Sequence, residues 1–349
     1  MSNTEFDPMN YSPDWSDKYF KNSNGPLGIG FDVTTKCNCH CMHCYNNSGK
    51  PLKNELSDDE VIGVAKQIAS FRPVYVCLCG GEPLLRKNII DVVRELKPHC
   101  GCVNMVSNGY LANEHKLKEL KDAGLYLIQF SLDGFDAFQH DSLRRLQGSF
   151  NSVVNAIKNA IKVGLNVVVS FSPNKLNYKT FVKYVEFCSS LGITNIRSMP
   201  LIPMGRGAAM GPLLLSSEDY VVYQQSIIKA KKLYPNINIE WGDPLDHIRR
   251  MRSNAQSGIY TYSMEIKANG NIGFSTYIPI FVGNVRKHTL QDYWRAGFDF
   301  IWRNDKIYNK IKHIEDIYDF DKFVPRPFSG EYIYMDLIDG TEEKIKEEV

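Results

Sequence analysis

The sequence predicts an α/β protein: a partial (β/α)6 barrel followed by a small α+β extension that contains a β-hairpin. Three observations carry this. From residue 27 onward, short apolar runs alternate with stretches of helical period, six times by about residue 200. These runs read as apolar on both faces, as parallel strands covered by helices are. Past about residue 205 the alternation stops, and two alternating runs meet at Asn269-Gly270, a dipeptide suited to a tight hairpin. Six units are too few to close an eight-fold barrel, so an open one is expected. The chain then divides into an N-terminal extension over 1–26, the barrel over 27–205 and the extension over 206–349.

The elements follow in order. "LGIGFDV" predicts the first strand, and "SDDEVIGVAKQIASF" the first helix, with Ser57 as N-cap and Glu60 completing a capping box. "VYVCLC" and "KNIIDVVRELK" form the second pair. "CVNMVS" and "NEHKLKELKDAG" form the third, whose helix opens at Asn113 and stops at Gly124. "LYLIQFSL" precedes the helix "SFNSVVNAIKNAIKVG". "LNVVVSFS" precedes "YKTFVKYVEFCSSLG", and "NIRSMP" is the sixth strand. A further helix is expected near 216–233, then irregular sequence, the hairpin, and a tail that is aromatic and then acidic.

Bulk properties narrow the class. The 349 residues carry 41 Lys and Arg against 39 Asp and Glu, a net charge of +2, which argues against a broad nucleic-acid surface. The N-terminus lacks the basic and apolar regions of a secretory signal, and no run of about 18 apolar residues suggests a membrane span. A cytoplasmic protein is expected. There, crowded cysteines point to a metal or to catalysis before a disulfide.

Four of the nine cysteines crowd into "TTKCNCHCMHCYNNSG". Three of them, Cys37, Cys41 and Cys44, fall at C-x3-C-x2-C spacing just after the first strand. Three thiolates on one loop can hold three irons of a cubane cluster and leave the fourth iron open to a ligand, whereas an electron-transfer cluster takes four cysteines. A structural zinc site using Cys39, His40 or His43 is the alternative, but no second ligand pair of the usual spacing exists. Cys39 falls outside the three-ligand spacing and reads as a bystander.

This spacing, set in alternating strands and helices, resembles the radical S-adenosylmethionine (radical SAM) superfamily. "GGEPL" (80–84) follows the second strand, "SNG" (107–109) the third, and "SLDG" (131–134) and then "HDSLR" (140–144) the fourth. All lie at strand C-terminal ends, where α/β folds bind ligands. The resemblance implies one 4Fe–4S cluster on Cys37, Cys41 and Cys44, with S-adenosylmethionine on the open iron. It further implies cofactor contacts from Gly80, Gly81 and Glu82 through backbone, from Arg144 to the carboxylate, from Ser131 to the same carboxylate or the ribose, and from Asn108 to the ribose. His43 and Leu201 would lie at the adenine. An electron donor such as flavodoxin or ferredoxin would reduce the cluster.

The second half, "EIKANGNIGFSTYIPIFVGNVRKHTLQDYW" with "PMGRG" at its junction, resembles the SPASM extension of peptide-modifying members. That extension normally brings cysteines for auxiliary clusters. Here the last cysteine is Cys188, and Ser275 stands where one is often found, so the extension reads as degenerate. The expectation is a redox-neutral reaction such as epimerisation on a ribosomally made precursor peptide. The alternative is chemistry on a sugar, nucleoside or amino acid. Cys79, at the end of the second strand with Cys77 on the same face, is the candidate hydrogen donor, against the plainer reading that both thiols only pack. Cys100 and Cys102 could join Cys77 and Cys79 only in an unusual extra cluster, which is disfavoured, and Cys188 reads as core.

Overall fold

The computed structural model describes residues 24–242, 261–315, 319 and 331–347. Most of the expected N-terminal extension, part of the irregular stretch after 240 and part of the tail lie outside these residues. Among the described residues no helix is long and apolar enough to cross a membrane.

Among the described residues, twelve strands form one open sheet in the order β12-β11-β10-β9-β8-β1-β2-β3-β4-β5-β6-β7. The six expected strands are β1 (Gly28–Thr34), β2 (Tyr75–Gly80), β3 (Cys102–Ser107), β4 (Leu127–Ser131), β5 (Asn166–Phe171) and β6 (Asn195–Ser198), each parallel to the next. A seventh parallel strand, β7 (Asn238–Trp241), extends that edge from sequence read as irregular. At the other edge the hairpin returns: β8 (Ser263–Ile266) lies parallel to β1, and β9 (Asn271–Gly273) turns back against β8. Gly270 makes that turn at φ +85°, a conformation glycine adopts without strain. The sheet continues through β10 (Ile280–Asn284), β11 (Glu331–Met335) and β12 (Glu342–Lys346). Both ends remain unjoined, so the barrel is partial.

Helix α1 (Asp58–Phe71) opens on the expected box: the Ser57 side chain accepts from the Glu60 amide at 3.2 Å and Glu60 accepts from the Ser57 amide at 2.8 Å. Helices α2 (Ile89–Leu96), α3 (Glu114–Ala123), α5 (Ser149–Lys162), α6 (Phe181–Ser190) and α7 (Ser217–Leu233) occupy the expected stretches. Helix α4 (Ala137–Arg144) was not expected. Asp136 caps it and Arg145 ends it in the left-handed region.

The strands are not apolar on both faces. Ile29, Phe31, Val76, Leu78, Val103, Met105, Ile128 and Phe130 are buried under the helices. The alternate positions Gly30, Cys77, Cys79, Gln129, Ser131 and Ser170 line a concave cavity of about 390 Å³. A strand presents successive side chains to opposite faces, and here the inner face is kept for a ligand instead of packing.

Candidate active site

The cysteine loop is a closed loop fixed at both ends. Cys37 N donates to Gly49 O at 2.8 Å, and Gly49 N returns to Thr35 O at 3.0 Å. Beneath it the Glu55 carboxylate accepts from the Thr34 hydroxyl at 2.9 Å and the Thr35 amide at 2.6 Å. From above, Arg206 of "PMGRG" donates to Cys41 O at 2.8 Å and Ser48 O at 2.7 Å, while its own amide donates to Cys44 O at 2.9 Å. Gly205 lies so close to the loop that a Cβ would fall 2.4 Å from Tyr45 O. Arg206 carried no role in the sequence reading. Its signal was the glycine on each side, which lets backbone meet backbone.

Within the loop each of the three spaced sulfurs has its own donor. Cys37 Sγ accepts from the Cys39 amide at 3.4 Å, Cys44 Sγ from the Ser48 amide at 3.4 Å, and Cys41 Sγ lies 3.7 Å from Arg144 Nη1. Such donors stabilise thiolate sulfur. Cys39 lines the same cavity, closer to the chemistry than a bystander would be. Its thiol is hydrogen-bonded to Cys37 and Cys41, which pushes it far up and holds those two down; Arg144 helps to lower Cys41. Burial pushes Cys44 up. Three sulfurs at this spacing, each with a directed donor, are a donor set that fits a three-ligand cluster.

Among the sequence-predicted site residues, Glu82 alone does not line the cavity. Its carboxylate is fully buried and accepts from Ser107 Oγ at 2.9 Å, Asn108 N at 2.7 Å and Leu84 N at 3.1 Å, tying the end of β2 to the end of β3. Burial pushes it up to about 7 against those three bonds. Gly80 and Gly81 open on the cavity, but their lack of Cβ serves the scaffold: a Cβ on Gly81 would sit 2.3 Å from Lys36 O, and one on Gly80, at φ +116°, 2.3 Å from Thr34 O. Both ends of the Asn108 amide are engaged, with Asn38 Oδ1 at 2.9 Å and the Tyr110 amide at 2.9 Å.

Arg144 is buried and Arg145 exposed, which fixes the register of "HDSLRR". Arg144 Nε and Nη2 lie 2.7 and 2.6 Å from Asp133 Oδ2, while Ser172 N donates to Oδ1 at 3.0 Å. Asp133, fully buried within "SLDG", was missed as a site residue, because only the fold brings it to Arg144. Arg144 and His43 hold its carboxyl below the usual range despite burial, which acts the other way. His43 Nε2 lies 3.8 Å from Asp133 Oδ2; its Nδ1 is buried with no hydrogen-bond partner, and burial lowers its proton affinity. Leu201 packs with Leu143 and Met210 at the cavity wall.

Residues 31–188 match the family model of the radical SAM superfamily. The chain is 24% identical over 315 residues to the AdoMet-dependent heme synthase of Methanosarcina barkeri, covering 84% of this chain and 87% of that protein. It is 30% identical over 223 residues to the sporulation killing factor maturation protein SkfB of Bacillus subtilis, covering 64% of this chain but only 52% of SkfB. In fold it is similar to Streptococcus suis SuiB. The SuiB structure bound to S-adenosylmethionine has a TM-score of 0.64 at 15% identity and covers 87% of this chain and 74% of SuiB. The structure with precursor peptide SuiA gives the same score and identity over 90% and 75%. The segment from β1 through α6 therefore belongs to the radical SAM superfamily, and the chain is a radical SAM enzyme, of the class that pairs a 4Fe–4S cluster with S-adenosylmethionine.

Proposed function

We propose that this enzyme modifies a ribosomally made precursor peptide by a redox-neutral reaction such as epimerisation. In this reading Cys37, Cys41 and Cys44 hold the cluster and Cys39 stays a thiol. When bound, the cluster and S-adenosylmethionine supply a 5′-deoxyadenosyl radical able to abstract an unactivated hydrogen. The chain's own residues do the rest. Arg144, held in place by Asp133, would offer its remaining N–H groups to the cofactor carboxylate, and Ser131 a hydroxyl to the carboxylate or the ribose. His43 and Leu201 would contact the adenine. The backbone of Gly80 and Gly81, which opens on the cavity, would meet the methionine amino group. Asn108, whose amide is already engaged, steadies the loop at Asn38 and reaches a ribose only by exchanging that bond.

The observation that carries this reading is the convergence on one cavity of three donor-backed sulfurs, the Arg144–Asp133 pair and the Cys79 thiol. Cys79 is the proposed hydrogen donor, on the cavity side of β2 beside Gly80. Redox neutrality is supported by the sequence, which has no cysteine after Cys188 to ligate an auxiliary cluster. The peptide class is supported by the likeness to SkfB, a killing-factor maturation protein, and to SuiB, which binds precursor peptide SuiA. We keep a boundary near residue 205 between barrel and degenerate SPASM-like extension. The electron donor is of the flavodoxin or ferredoxin class.

A small-molecule substrate is the second reading, favoured by the likeness to a heme synthase over most of the chain. Anaerobic incubation with S-adenosylmethionine, a reductant and a precursor peptide encoded beside the gene, read by mass spectrometry, decides between them. Formation of 5′-deoxyadenosine with an altered peptide supports the proposal. Stimulation only by small metabolites overturns the peptide class.

A further inference from the structure

The inner face of the sheet carries a carboxylate that the cofactor site does not use. Gly30 of β1 pairs with Cys77 of β2 on one side and with Glu265 of β8 on the other, so these three residues share one rung. Gly30 leaves a notch in that rung, and the Glu265 carboxylate fills it: a Cβ on Gly30 would lie 2.2 Å from Glu265 Oε2. Neighbouring strands stand about 4.8 Å apart, so a side chain leaning over β1 points at the thiols of β2. Cys79, next along β2 on the same face, donates its thiol to the Cys77 carbonyl oxygen at 3.5 Å, and the neighbouring Cys77 thiol pushes it up. Cys77, Cys79 and Glu265 all line the cavity.

We propose that Glu265 is the proton relay of the Cys77–Cys79 thiol pair, returning to Cys79 the proton it needs after giving a hydrogen atom to a substrate radical. The proposal rests on Cys79 as donor. The Cys79 thiol gives a hydrogen atom to a carbon radical, forming a C–H bond and a thiyl. A one-electron donor protein of the flavodoxin or ferredoxin class reduces the thiyl to thiolate. The Glu265 carboxyl protonates that thiolate, by way of Cys77, and regains its own proton from water.

The surroundings suit this role. Lys267, one residue past β8, pairs with Asp32 of β1 at 3.0 Å, and Thr276 donates its hydroxyl to Glu265. Burial, with Asp32 adding to it and Lys267 opposing it, pushes Glu265 up to about 7, where a carboxyl both gives and takes a proton. Cys79 is held protonated by its bond to Cys77, by burial, and by the charges of Asp32 and Glu265. Tyr45 and Tyr277 complete the ring of titratable groups around the carboxylate.

The test needs no substrate. Anaerobic full-length protein is alkylated with iodoacetamide from pH 7 to 11, and labelling of Cys77 and Cys79 is read by peptide mass spectrometry. In that range Glu265 is ionised and opposes the thiolate. Glu265→Gln should therefore move the Cys79 alkylation midpoint down by about one unit, roughly tenfold faster labelling on the acid limb. Gly30→Ala, which pushes the carboxylate out of its notch without changing any charge, should move it the same way. An unchanged midpoint, including faster labelling with the midpoint unmoved as loosened packing would give, overturns the relay. Failure of the donor reading looks different: Cys79→Ala would then leave product formation intact while the Glu265 shift persists.

Discussion

Asp133→Asn is the sharpest perturbation of the cofactor side of the site. The carboxylate has no exposure and meets three N–H groups: Nε and Nη2 of Arg144 on one oxygen and the Ser172 amide on the other. An asparagine must turn its NH₂ toward one of these donors, whichever way it is placed. It also removes the charge that balances a guanidinium only 9% exposed. Breaking one side of a buried ion pair costs about 3–5 kcal/mol. At roughly 2 °C per kcal/mol for a chain of this length, the unfolding midpoint should fall by about 6–10 °C. The assay is thermal unfolding of the cluster-free protein by circular dichroism, so that iron loss does not enter. Arg144→Met should cost a similar amount, and the double variant should recover much of it, because neither charge is then left unpaired. S-adenosylmethionine affinity should follow a different rule. Every variant lacking Arg144 should lose on the order of 2 kcal/mol, roughly 30-fold in Kd, whatever its stability. Arg145→Ala is the control and should change neither. A midpoint drop below about 2 °C for Asp133→Asn, or additive losses in the double variant, would refute the reasoning.

Four further outcomes are expected. Arg206→Ala should leave the fold intact but loosen the cysteine loop, since its side chain holds two of that loop's backbone carbonyls; iron should be lost to a chelator severalfold faster than from the parent. Cys79→Ala should still form 5′-deoxyadenosine while the substrate radical goes unquenched. With the parent enzyme in deuterated water, an epimer should carry one deuterium at the inverted carbon, and a crosslinked product two mass units lighter would sink the redox-neutral reading. His140 accepts from the Asp133 amide at 3.2 Å and is pushed down to about 4, mainly by burial. Its folded value lies below its unfolded one, so its contribution is complete above about pH 6.5 and is lost as pH falls toward 4. His140→Asn should flatten urea-unfolding stability across that window, by up to ~3 kcal/mol at its acid end.

Much of the fold was legible because its signals are local. The Ser57–Glu60 box, the Gly124 stop and the Asn269-Gly270 turn are each settled within a few residues, and all three stand where expected. What escaped notice depends on distant partners. Helix α4 is a short stretch whose sequence, "AFQHDSLR", shows no clear apolar stripe and exists to carry Arg144 inward. Strand β12, "EEKIK", is mostly exposed, and its charged side chains suit the edge of a sheet, so it read as an acidic tail. Its neighbour β11 lost its partner in that reading. In the site, the spacing of the cysteines was legible by itself, but Asp133, Arg206 and Glu265 were not. Each acts on a residue of another element, and nothing in the local pattern of an aspartate, arginine or glutamate says what the fold will set against it. The role given to Gly80 and Gly81 shifted for the same reason: their closest neighbour is the backbone of β1 and the cysteine loop.

The central claim is that three of four crowded thiols hold one cluster. Iron content and the electron paramagnetic resonance spectrum of anaerobically reconstituted, dithionite-reduced protein test it most directly, across the parent, the Cys37/Cys41/Cys44→Ala triple variant and Cys39→Ala. The account predicts about four irons per chain and an axial or rhombic signal in the parent, both absent from the triple variant and both retained in Cys39→Ala. Loss of iron in Cys39→Ala equal to that in the triple variant, or eight irons in the parent with half surviving the triple substitution, would contradict it.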